Sequence, residues 1–244
     1  MGSCDSSNGK AKEDYNKLKN VNSYNQSQAN KAKNVTIENY EKNQNLITSN
    51  YRDEVQINNA IVPLKNYIKA SEAVCKITIK KNNANATGFF LEISSLKCLL
   101  TNYHVISKDL VDTNSEIEIE TYSKIKVVIQ LNKNERYIKY FEKPKDITVI
   151  QINNSDEINK YIKFLQYDLN YSSGYQIYKN VDIFALEHPR GNDVGGAAGK
   201  IIRISNYEFY HNIDTDIGSS GSPIILSSNL KVVGIHKGGI LAKK

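Results

Sequence analysis

Apolar positions in this chain come in short runs. From residue 57 onward they alternate with polar ones over strand-like lengths, and polar turns separate the runs. Candidate strands fall at residues 73–80, 87–93, 98–104, 116–121, 125–131, 147–152, 181–186, 200–204, 223–226 and 232–236. Valine, isoleucine, threonine and aromatic residues are frequent in them, as expected of pleated and at least half-buried surface. Many short strands with few helical stretches predict an all-β sandwich or a pair of barrels, between which periodicity alone does not choose. One helix is predicted at 155–164, and Gly195, Gly196 and Gly199 read as a flexible turn.

Residues 1–56 follow a different pattern. Asn, Lys, Ser, Gln and Tyr dominate, and apolar periodicity is nearly absent. Such a segment buries too little surface to offset its ordering entropy, so a disordered tail is expected there, followed by one domain over 57–244.

Composition narrows the class. The chain is 40% hydrophobic and 24% charged, ordinary values for a globular protein. Its net charge of +6 is spread over mixed Lys, Asp and Glu. With no basic run interleaved with aromatics, no nucleic-acid partner is expected. Cys4, Cys75 and Cys98 are too few and too irregular for a disulfide framework or a metal site. No cofactor is called for either. The opening residues contain no apolar leader, and no apolar stretch reaches membrane-spanning length, so a reducing, cytoplasmic setting is expected. Met1-Gly2-Ser3-Cys4-Asp5-Ser6 fits a myristoylation pattern at Gly2, with Cys4 placed for palmitoylation; a vector-derived start would read similarly. The acylated reading puts the protein on the cytosolic face of a membrane.

Three local patterns carry candidate chemistry. Gly218-Ser219-Ser220-Gly221-Ser222-Pro223 is a tight turn before an apolar strand, and its glycines let backbone N–H groups converge on one point. Leu99-Leu100-Thr101-Asn102-Tyr103-His104 puts an imidazole at the end of an apolar run. Asp146 sits at the mouth of the run beginning at Ile147. Each pattern has a plain alternative: a Gly/Ser loop, a packed histidine, a surface carboxylate. Spacing also leaves His188, His211 and His236 as rivals to His104.

In chain order, Leu-Thr-Asn-Tyr-His-Val, Asp-Ile-Thr-Val-Ile and Gly-Ser-Ser-Gly-Ser-Pro resemble the His, Asp and Ser motifs of trypsin-like serine peptidases. Thr87-Gly88-Phe89-Phe90 is similar to the strand that precedes the His motif in bacterial and intracellular members. His188-Pro189-Arg190-Gly191 resembles their His-Pro-x-Gly turn, and Gly234-Ile235-His236-Lys237-Gly238-Gly239 the corresponding strand of bacterial glutamyl endopeptidases. The resemblance implies two six-stranded antiparallel β-barrels with the active site in the cleft between them. It implies a serine endopeptidase acting on proteins or peptides: His104 as base, Asp146 as its orienter, Ser220 as nucleophile, Gly218 and Ser220 as oxyanion donors. Asp214, Thr215, His236, Gly238 and Gly239 would line the primary pocket. Thr215 and His236 match the residues that hold a substrate carboxylate in glutamyl endopeptidases, whereas Asp214 would favour Lys or Arg. Ser219 departs from the digestive members, which carry Asp there to pair with a freed amino terminus. The competing reading is an inactive relative acting as a membrane-anchored binding module.

Overall fold

The computed structural model describes residues 64–170, 174–206 and 208–239. All belong to one compact unit, Asn58–Lys244. The expected tail over 1–56 and the acylation sites Gly2 and Cys4 lie outside the described residues.

Helix α1 (Leu64–Ser71) leads into the first sheet. That sheet holds β1 (Val74–Ile79), β2 (Ala84–Ile93), β3 (Leu96–Thr101), β4 (Glu116–Thr121), β5 (Lys126–Gln130), β6 (Ile138–Phe141) and β7 (Ile147–Gln151), with α2 (Lys108–Asp112) between β3 and β4. Its order is β5-β4-β1-β2-β3-β7-β6, and the two-residue β8 (Leu165–Gln166) adds in parallel to β2. The second sheet holds β9 (Asp182–Glu187), β10 (Gly195–Ser205), β11 (Glu208–His211), β12 (Pro223–Leu226) and β13 (Val232–Ile235), in the order β11-β10-β9-β12-β13. Every other pairing of named strands is antiparallel.

The described strands divide eight and five rather than six and six. Long strands that serve two neighbours account for part of this. In β10, residues 195–200 pair with β9 and residues 201–205 pair with β11, with a bulge between Ile201 and Arg203. Gly195, Gly196 and Gly199 are therefore strand residues, not the turn expected from their composition. Side-chain contacts explain two of them: a Cβ on Gly196 would lie 3.0 Å from the Tyr67 ring, and one on Gly199 2.6 Å from the Asn212 side chain. The helix expected over 155–164 shrinks to a 3-10 turn, Glu157–Lys160.

The apolar pattern sorts into three clusters. Cys75, Ile77, Phe90, Leu99, Ile117, Ile119 and Ile150 fill the interior of the first sheet. Ile183, Ala185, Ile201, Ile213 and Ile224 fill the second. Between them, Phe89, Leu91, Cys98 and Leu100 meet Phe184, Leu186 and Ile225. Because successive strand residues face opposite sides, β2 sends Phe90 into its own barrel and Phe89 and Leu91 into the interface. The sheet is apolar on both faces, which is why β2 and β3 read as continuous apolar runs. This sandwiching fixes the ends of β3 and β7 against the second sheet, where the candidate site lies.

Candidate active site

Strand register brings His104 and Asp146 together. β3 and β7 are antiparallel with Thr101 opposite Thr148. His104, three residues beyond β3, and Asp146, just before β7, therefore meet beyond that shared end. The turn after β3 is held by Val105 and Ile106 N–H groups donating to the Asn102 carbonyl, and the buried Thr148 hydroxyl donates to the Ile106 carbonyl at 2.8 Å. Asn102 Nδ2 donates to the Asp146 carbonyl at 3.0 Å. Asp146 itself takes a left-handed φ of 59°, uncommon for a non-glycine residue, and is 1% exposed.

Both carboxylate oxygens of Asp146 serve His104. Oδ1 accepts from the His104 backbone N–H at 2.9 Å and Oδ2 lies 2.7 Å from Nδ1. An ionised carboxylate only accepts, so Nδ1 carries the proton and Nε2 is left as the basic nitrogen. His104, Asp146 and Ser220 line one cleft.

The serine turn is built from glycine. Ser219 N–H donates to the Asp216 carbonyl at 3.0 Å, closing a four-residue turn over 216–219. Gly218, its third residue, has φ +96°, while Ile217 is not in the positive-φ region. That combination defines a type II turn, which strongly favours glycine at this position. Gly221, at φ +89°, packs closer still: a Cβ there would sit 2.1 Å from the Thr87 carbonyl oxygen. Ser219, Gly221 and Ser222 N–H groups donate to the Asp216, His236 and Ser219 carbonyls respectively. Among the described residues no acceptor takes the N–H of Gly218 or Ser220. These are the two amides expected to serve as oxyanion donors.

Thr87 on β2 organises this turn from the opposite sheet. Its N–H donates to the Ser220 carbonyl and its hydroxyl to the Gly218 carbonyl at 2.8 Å, while the hydroxyl accepts from His188 N–H at 2.9 Å. It stood in the motif as the residue before Gly88, but its role was not legible. The one available signal was a polar residue at the head of an apolar run.

The rival histidines are otherwise engaged. His188 is 2% exposed and its Nδ1 lies 2.8 Å from the Asn192 carbonyl oxygen; burial pushes it below its ordinary value. His211 and His236 form a pair beside the cleft. Ile213 N–H donates to His211 Nδ1 at 3.2 Å, so the neutral ring carries its proton on Nε2. His211 Nε2 is 3.2 Å from His236 Nδ1, so the proton of neutral His236 belongs on Nε2. Burial lowers His211, and burial followed by the His211 and His104 charges lowers His236 to about 4. Asp214, Thr215, Gly238 and Gly239 also line this cleft, with Asp214 exposed to water. The serine turn's near neighbour Glu187 is buried, with Oε2 unpartnered; burial raises it, the Ser219 hydroxyl opposes that, and Asp216 and Asp214 add to it.

Two curled antiparallel sheets, meeting at a cleft lined by a His–Asp pair and a glycine-flanked serine, define the chymotrypsin-like class of fold. A family model described as a trypsin-like peptidase domain matches residues 86–235, more than half of the chain. The chain belongs to that family. Among solved structures it is similar to Deg5 (TM-score 0.55, 16% identity), with 72% of this chain and 83% of that one covered. It is similar also to the serine endoprotease from Yersinia pestis (TM-score 0.54, 14% identity), covering 74% of this chain and spanning 60% of that one. A further match is the Rv3671c protease of M. tuberculosis in an inactive form (TM-score 0.52, 15% identity, 78% and 86% covered). At these identities the likeness speaks for the fold. No curated protein sequence matches the chain.

Proposed function

We propose that the chain is a serine endopeptidase that works through an acyl-enzyme intermediate. Ser220 Oγ attacks the scissile carbonyl carbon while its proton passes to His104 Nε2. The imidazolium so formed is stabilised by Asp146. The developing oxyanion accepts from the N–H groups of Gly218 and Ser220. His104 then gives its proton to the leaving amine, and water completes the second half by the same route. The observation that supports this most is the double engagement of Asp146 with His104, at 2.9 and 2.7 Å, which commits Nδ1 and frees Nε2.

The substrate side chain at the cleavage point is proposed to be acidic. His236 Nε2–H and the Thr215 hydroxyl supply donors at the pocket, and the neutral His211–His236 pair is ready to take up charge when a carboxylate arrives. Asp214 opposes this, but as an exposed group its field is weakened by water.

Labelling with a fluorophosphonate probe tests the proposal. Wild type should label; Ser220→Ala should not, and its peptidase activity should fall on the order of 10⁶-fold if the triad acts as a unit. His104→Ala should lose most labelling. A wild-type protein that binds peptides but never labels is the inactive binding module instead.

A further inference from the structure

The type II turn that aims the Gly218 N–H is clamped from behind by the turn at 188–191. Arg190 N–H donates to the Ile217 carbonyl at 2.5 Å. Carbonyl and N–H of a trans peptide point in opposite directions, so this bond turns the Gly218 N–H away from the 188–191 turn. The alternative, a type I turn, rotates the 217–218 peptide by roughly 150–170° and withdraws that N–H. The Arg190 side chain closes the clamp a second time. Its Nε donates to Asp216 Oδ2 at 2.7 Å, and Asp216 Oδ1 accepts from Ile217 N–H at 2.7 Å. Asp216 N–H donates in turn to Ser219 Oγ at 3.0 Å. Contact between the two turns is close: a Cβ on Gly218 would lie 2.5 Å from the His188 carbonyl oxygen. Arg190 itself is held at φ 55°, a conformation it shares with few arginines.

We propose that Arg190 and Asp216 are positioning residues: their ion pair latches the 216–219 turn in the type II form and so keeps the Gly218 N–H available to the oxyanion. This inference rests on the serine-peptidase reading and extends it. Members with Asp before the nucleophile pair that Asp with a freed amino terminus. This chain has Ser219 there and instead ties the preceding turn to a neighbouring loop of the same folded domain. Both side chains of the latch are at the surface, 72% and 41% exposed, so its strength falls with ionic strength.

The test compares wild type with Arg190→Gln, Asp216→Asn, the double variant and Arg190→Lys. Asp216→Asn keeps an acceptor for Ile217 N–H and removes only the charge. The fluorophosphonate labelling rate and kcat on a peptide from a library should fall about three- to fivefold in either single variant, the ceiling for an exposed pair. KM and Tm should change little. The double variant should be no worse than either single one, and Arg190→Lys should recover part of the loss. Salt should slow labelling of wild type and not of Arg190→Gln. Lys124→Gln, which removes the Lys124 bonds to Asp193 and Glu120 near this turn while Lys76 still pairs with Glu120, should match wild type. The Gly218 amide resonance should shift in Arg190→Gln, whether or not the protein labels. That signal separates the two readings: unlabelled wild type with a shifted amide refutes the peptidase and keeps the latch. An unmoved amide with wild-type labelling in Arg190→Gln overturns the latch.

Discussion

At the residue scale, the candidate site is a set of commitments made by hydrogen bonds. Asp146 was legible as an acid at a strand mouth, and His104 as an imidazole at a strand end, because both sit beside apolar runs that mark where β3 stops and β7 starts. Their mutual distance was not legible, since it depends on the register of strands distant in sequence. Thr87 shows the same limit more sharply. Nothing near it in sequence tells that its hydroxyl bridges Gly218 and His188. Gly218 was legible as a turn glycine, and its reason is now specific: φ +96° in a type II turn against the His188 carbonyl. Gly218→Ala should therefore flip or distort the turn and lower kcat by about 10²–10³, the usual loss for one oxyanion donor. KM for a good peptide should move far less. Steady-state kinetics on folded variant checks this; unchanged kcat would mean that Gly218 N–H does not face the reacting carbonyl.

At the element scale, strands read from the apolar pattern are present in the structure with ends shifted by a few residues. The misses have two causes. β6 and β11 are four-residue strands with exposed or half-exposed side chains, so no apolar run announces them. β10 is read as 200–204 alone because Gly196 and Gly199, of a type that usually forms turns, pack against Tyr67 and Asn212. β11 matters for function, because it delivers His211 to His236 at the end of β13. His211 was visible only as a rival base. The hairpin makes it a partner of the pocket histidine instead. On a peptide library, cleavage should follow Glu or Asp. His236→Ala should reduce kcat/KM for those substrates by at least about tenfold, while a neutral-substrate background changes little. Product sequencing by mass spectrometry checks it. Cleavage after Lys or Arg that Asp214→Ser abolishes would reverse the assignment of the pocket.

At the scale of the whole molecule, three apolar clusters hold two sheets together, and two buried imidazoles and a half-buried one make that assembly sensitive to acid. His188, His211 and His236 all lie below the ordinary 6.5 in the folded protein, His236 at about 4. Between those values the unfolded chain binds protons that the folded one excludes. Stability therefore rises with pH through this window and is lost as pH falls below about 6.5. Glu187, raised by burial, acts oppositely, since its ionisation penalises the fold as pH rises. The largest displacement is that of His236, and it sets the sign. The melting temperature at pH 5 should lie about 5 °C or more below that at pH 7.5, and His188→Gln should flatten the slope. A melting temperature that climbs towards pH 5 would mean that these rings are not held neutral.

The proposed mechanism stands on Ser220 as the nucleophile, one of three serines in one turn. Locating the bound fluorophosphonate by peptide mapping and mass spectrometry tests it most directly. The adduct should sit on Ser220, appear only in folded protein, and vanish in Ser220→Ala while persisting in Ser222→Ala. An adduct on Ser219 or Ser222, or one that survives Ser220→Ala, would mean that Ser220 is not the nucleophile.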